Sequence, residues 1–212
     1  MRRLAQGLTG VALLAALAYG PWARRWYLTC GATPEEVERR MPGDDLLPGT
    51  ELVSTRAVTI DAPPEAVWPW LVQMGSGRAG AYTYDWIENL LGLDMHSADR
   101  ILPEFQRLAV GDVLPLGPDG PGMRVEVCDH PRTLAFRSQD GDWVWIFGLY
   151  PQWGGTRLVS RNRIAVPRAA LGRRVANRVL LEPGSLIMER HMLTGIRNRA
   201  ESSLPARASV PA

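Results

Sequence analysis

Ile60-Asp61-Ala62-Pro63-Pro64-Glu65-Ala66-Val67-Trp68-Pro69-Trp70-Leu71 is the stretch on which the fold turns. Just ahead of it, Arg56-Ala57-Val58-Thr59-Ile60 is rich in β-branched residues and reads as a strand. The Pro63-Pro64 pair then opens a helix, because proline at the first helical position forfeits no hydrogen bond. Val67, Trp70, Leu71 and Met74 fall on one face of it. Pro69 should bend it, since it cannot donate to the carbonyl of Glu65. Gly75-Ser76-Gly77-Arg78-Ala79-Gly80 follows as a flexible turn. It matches G-x-G-x-x-G, but a helix precedes it where a nucleotide loop needs a strand.

Beyond this turn, Tyr82, Tyr84, Asp85, Trp86 and Glu88 form an aromatic and acidic segment with one or two helical turns over Asp85–Leu91. From Val110 the pattern has period two. Met123, Val125 and Val127 alternate with polar neighbours, as do Leu134 and Phe136. Trp143, Trp145, Phe147 and Leu149 share one face of their strand. On the next strand, Arg157, Val159, Arg161 and Arg163 alternate with Leu158, Ser160, Asn162 and Ile164. Asp119-Gly120-Pro121-Gly122, His130-Pro131, Asp140-Gly141-Asp142 and Gly154-Gly155 separate the runs. This is the signature of an antiparallel meander with one solvated face. A last helix is expected over Glu182–Glu201, followed by a disordered tail, 202–212.

The order strand, Pro-led helix, meander, long C-terminal helix, together with Ile60–Leu71, resembles the SRPBCC superfamily over about residues 54–201. That superfamily includes START lipid-transfer domains and polyketide cyclase/dehydrase-like proteins. A bacterial branch resembles the chain more closely, through Trp70-Leu71-Val72-Gln73-Met74-Gly75, Tyr84-Asp85-Trp86, His96-Ser97-Ala98-Asp99-Arg100-Ile101 and Leu181-Glu182-Pro183-Gly184. The resemblance implies an α+β helix-grip (START-like) fold, a curved antiparallel sheet around a long C-terminal helix with a cavity between them. It implies no reaction, because the superfamily holds carriers and enzymes alike.

Upstream, Leu4 to Ala23 carries no charge. As one helix it would span roughly 30 Å, a hydrocarbon core. Trp22, Arg24, Arg25, Trp26 and Tyr27 would form an interfacial belt at its end. Residues 1–27 are therefore expected to be a single-pass membrane anchor, with a signal peptide cleaved after Ala16-Leu17-Ala18 as the alternative. Residues 28–53 read as a connecting segment, with a short helix begun by the capping box Thr33-Pro34-Glu35-Glu36. The stretch from Arg168 to Arg178 suits either an anionic lipid surface or solvent.

Composition narrows the function. The 212 residues are 46% hydrophobic, enough for a sizeable core, and 24 basic against 22 acidic residues leave a net charge of +2. That excess is too small for a dedicated nucleic-acid binder. Every basic residue is arginine, which removes Schiff-base and P-loop lysine chemistry. Cys30 and Cys128 cannot build a disulfide framework, and His96, His130 and His191 are scattered, so neither a metal nor a cofactor is expected.

The reading that follows is a membrane-anchored binding or carrier protein for a small apolar or lipid-like molecule in the grip cavity. Tyr84, Trp86, Arg124, Trp143, Trp145, Ser160, Asn162, Met188 and Met192 are its candidate ligand-binding residues. The alternative is a cyclase/dehydratase-like enzyme with Asp85 or His96 as general base and Arg124 or Tyr84 steadying an enolate-like oxygen. A third possibility is a partner-binding module with a filled core, which an enclosed volume of only a few waters would favour.

Overall fold

The computed structural model describes residues 20–50, 52–118, 122–165 and 182–204. Six strands form one antiparallel sheet: β1 (Leu52–Ile60), β2 (Val113–Pro115), β3 (Gly122–Asp129), β4 (Thr133–Ser138), β5 (Trp143–Gln152) and β6 (Gly155–Ile164). Their spatial order is β1-β6-β5-β4-β3-β2, so the first strand closes onto the last and the rest is a meander. Among the described residues, five α-helices accompany the sheet: α1 (Pro21–Thr29), α2 (Pro34–Glu38), α3 (Pro64–Val72), α4 (Asp85–Leu90) and α5 (Glu182–Ser202).

Strand alternation decides which side chains go inside. Ile60, Val125, Leu134, Phe136, Phe147 and Leu158 face inward. There they meet Val67, Trp70 and Leu71 of α3 and Met192, Leu193, Ile196 and Ala200 of α5. This is the helix-grip arrangement, a curved sheet closed by the terminal helix. α3 runs on through Pro69. The glycine-rich turn behind it is pinned rather than loose. Gly75 and Gly80 exchange backbone hydrogen bonds of 2.9 and 3.1 Å, and Arg78 donates to the carbonyls of Met74 and Val72 while lying over the Phe105 ring.

The outer face of β1, β5 and β6 is covered, contrary to the solvated face that alternation suggests. The connecting segment lies across it, burying Met41 against Ala57, Ala135, Val144, Ile146 and Val159. Arginines bind this strap down. Arg161, itself buried, donates to the carbonyls of Arg39, Glu36 and Val37 and to Asp44. Arg157 pairs with Glu36, whose carboxylate also closes the expected capping box at Thr33. Burial alone would raise the Glu36 carboxyl, but Arg157 and the Thr33 amide outweigh it and hold it below its ordinary value.

The single-pass N-terminal anchor does not hold. Among the described residues no helix is long and apolar enough to cross a membrane. Residues 4–19 of the expected span lie outside the described residues. At its end, Gly20 is extended and α1 begins at Pro21, so residues 21–23 belong to α1. The flanking belt also divides, since Tyr27 is buried and Arg24 holds Glu182 of α5 at 2.8 and 3.0 Å, while Trp22 and Trp26 stay exposed. The Arg168–Arg178 stretch and the tail from residue 205 lie outside the described residues.

Two predictions follow from this packing. Gly195 lies where α5 crosses the Tyr82 backbone, and a Cβ there would come within 2.6 Å of the Tyr82 carbonyl oxygen. Gly195→Ala should cost about 1–3 kcal/mol, read as a lower urea midpoint at unchanged m-value. Because the folded-state Glu36 carboxyl is lowered, its stabilisation is in full force above the ordinary value of 4.5 and fades as pH falls through the lowered one. Glu36→Gln should therefore flatten the acid limb of a stability–pH curve, and an unchanged limb would show that the strap is not clasped through this carboxylate.

Candidate functional site

Inside the grip, β5 and β6 pair so that Trp145 lies opposite Asn162 and Phe147 opposite Ser160. Trp143 and Trp145 stack with ring centroids 5.6 Å apart. A buried indole N–H needs an acceptor. Trp143 donates to Asn162 Oδ1 at 2.8 Å, and Trp145 donates to Ser160 Oγ at 3.0 Å. Ser160 and Asn162 pass the requirement on, both donating to Glu189 Oε1 of α5, at 2.6 and 3.1 Å.

The other oxygen of Glu189 pairs with Arg56 of β1. Arg56, only 1% exposed, is opposite Ser160 in the β1–β6 register. Its remaining donors reach the Tyr27 carbonyl at 3.0 and 2.8 Å, Ser185 Oγ at 3.1 Å and Ser54 Oγ at 3.4 Å. The guanidinium thus has an acceptor at each nitrogen, and every partner of Glu189 is a donor, the arrangement an ionised pair requires. Burial pushes the Glu189 carboxyl up, against the opposing pull of Arg56, Ser160 and Asn162.

The structure brings together Trp143, Trp145, Ser160 and Asn162, with Met192 buried in the same core. Met188 is half-buried on α5. The remaining candidates lie elsewhere. Tyr84 stacks on His191 at 4.0 Å between ring centroids, and Trp86 is 69% exposed. Arg124 projects from the exposed face of β3, opposite to Met123 and Val125. Asp85 spends both oxygens on Ser97, accepting from its amide at 2.7 Å and its hydroxyl at 2.6 Å. His96 is 75% exposed beside Asp94. Among the described residues, neither Asp85 nor His96 lines the cleft between β1 and α5 or the hollow beside Trp145.

Sequence reasoning passed over Arg56 and Glu189, although both carry a signal. Glu189 interrupts the apolar stripe Leu186, Leu193, Ile196, Ala200 at helical spacing, and Arg56 shares the inward face with Val58 and Ile60. A charge on a core-facing position is the mark of a buried partner.

Two hollows accompany this network. Between Met74, Leu114, Met123, Phe136 and Trp145, the grip interior leaves about 30 Å³, room for about one water. On the other side of α5, against β1, a cleft of about 220 Å³ is lined by Cys30, Gly31, Ala57, Val58, Leu193 and Thr194, with Arg56 in its wall.

No protein-family model and no curated protein matches the chain. Solved structures similar to it include protein MLL2253 from Mesorhizobium loti, 16% identical, covering 73% of this chain and 100% of that one with a TM-score of 0.47. Another is the Polyketide_cyc-like protein Cgl2372 from Corynebacterium glutamicum, 18% identical, covering 77% and 99% with a TM-score of 0.41. The fold rests on the chain's own topology, an antiparallel sheet in the order β1-β6-β5-β4-β3-β2 packed on a long C-terminal helix.

Removing one member of a buried pair strands the other, whereas replacing both with apolar groups of similar volume can be neutral. Glu189→Gln should cost about 3–5 kcal/mol, and Arg56→Met with Glu189→Met should recover most of that loss. Urea unfolding of the two single variants and the double variant measures the coupling. Additive losses would show that the two charges act independently.

Proposed function

We propose that this protein binds a small molecule with an apolar body in the cleft between β1 and α5. The observation that carries the reading is the cleft itself. At about 220 Å³ it has the room of roughly seven waters, whereas the grip interior has room for about one. Ala57, Val58, Leu186 and Leu193 give it an apolar floor, and the Thr194 side chain gives it a polar point at which a guest can be oriented. Ligand pockets for drug-sized molecules run to about 300–1,000 Å³. The guest is therefore small, or enters with one end only, and a whole lipid held inside the grip does not suit the volumes.

The interior network supports the same reading in a different way. Trp143, Trp145, Ser160, Asn162, Glu189 and Arg56 satisfy one another, so this network needs no ligand to complete its hydrogen bonds. It serves as a preorganised wall behind the cleft. A cyclase-like reaction with Asp85 or His96 as base finds no support, because the first is held by Ser97 and the second faces solvent.

The test is a titration with 1-octanol and octanoate, followed by amide chemical shifts. Binding should move the resonances of Val58, Leu186, Leu193 and Thr194. Thr194→Trp, which fills the cleft from the half-buried face of α5, should weaken binding at least tenfold while leaving the unfolding midpoint close to the parent's. Shifts centred instead on Phe136 and Trp145, unaffected by that variant, would move the guest to the grip interior and overturn the assignment.

A further inference from the structure

We infer that the guest in this cleft carries an acidic group, a carboxylate or a phosphate ester, received by Arg190 and Arg197 of α5. This rests on the cleft being the binding site. Among the described residues, three arginines line the cleft, Arg56, Arg190 and Arg197, and none of the lining residues is acidic.

The three are not equivalent. The charge of Arg56 is balanced by Glu189, and its N–H groups are already taken. It shapes the wall and adds little net attraction. Arg190 and Arg197 make no ion pair among the described residues, so their charges stand unmatched. Both belong to the same helix as Thr194, which stands four residues after the first and three before the second. That spacing places all three on one face, with the hydroxyl between the two guanidinium groups. The arginines are about 10.5 Å apart along the axis at 1.5 Å per residue, a gap that two long side chains can close over a group resting at Thr194.

Guanidinium is the cation suited to this task. Its planar fork matches carboxylate and phosphate oxygens two at a time, and it sheds water more readily than an ammonium group. The site therefore divides the guest. The acidic head lies at the α5 rim between Arg190 and Arg197, and the apolar remainder lies on Val58, Leu186 and Leu193 below. Cys30 lines the same cleft with a free, half-buried thiol, so a guest seated there covers a chemical reporter.

The experiment compares octanoate, octyl phosphate and 1-octanol, which share one apolar chain, by calorimetric titration of the full-length protein. Cys30 alkylation by iodoacetamide is followed by peptide mass spectrometry with and without each compound. At least one acid should bind tenfold or more tightly than the alcohol and protect Cys30, with affinity falling as salt rises. Octanoate binding alone assigns a carboxylate, and octyl phosphate binding alone assigns a phosphate ester. Arg190→Gln with Arg197→Gln should abolish the preference for the acid while the unfolding midpoint stays near the parent's, whereas Arg132→Gln, at an exposed turn, should leave the preference and alcohol binding unchanged. Equal binding of acid and alcohol would overturn the acidic guest while leaving the cleft as the binding site. No protection of Cys30 by any of the three would overturn both.

Discussion

The ion pair between Arg56 and Glu189 is the constraint around which the rest of this structure is arranged. It joins the first strand to the last helix across the inside of the sheet. Two charges taken out of water are costly, and their attraction repays that cost only when the remaining donors and acceptors are also met. Here they are met by the Tyr27 carbonyl, Ser54, Ser185, Ser160 and Asn162, which come from α1, β1, α5 and β6. Each of these elements is held in place by what it gives to the pair. A one-residue slip of β1 against β6 would turn Arg56 to the outer face and leave Glu189 alone.

The same pair explains why the two sides of α5 differ. Toward β5 and β6, the carboxylate gathers Ser160 and Asn162, and through them the two indoles. Toward β1, the helix presents Arg190, Thr194 and Arg197 to the cleft of about 220 Å³ that Ala57 and Val58 also line. The outer face follows a related logic. Arg157 and Arg161 read as solvent-facing by alternation, yet both reach carbonyls or carboxylates of the connecting segment and hold it over Met41 and Val159. Along β1, β5 and β6 the sheet is thereby covered on both faces.

Much of the fold was legible in the order of residues. Period-two alternation gave β3 to β6 and the inward placement of Trp143, Trp145, Ser160 and Asn162, because a strand has only two faces. The Thr33–Glu36 box and the Pro-led start of α3 were equally plain, since caps are local chemistry. What the sequence concealed was long-range. Tyr84, Trp86 and Arg124 looked like cavity residues by composition, but their direction depends on which face of a short helix or strand the core happens to take. Leu4–Ala23 looked like one apolar span, but Gly20-Pro21 marks a new helix that docks through Arg24 and Tyr27.

By itself the sequence determined the alternation, the caps and the turns, and with them a meander closed by a helix, since each of these depends on neighbours a few residues apart. Tertiary structure alone decided where the charges went. Arg56 and Glu189 lie 133 positions apart, and Arg161 and Asp44 lie 117 apart. No local pattern can say whether such a side chain meets water or a partner. Only the register of β1 on β6 and the seating of α5 bring those groups into contact.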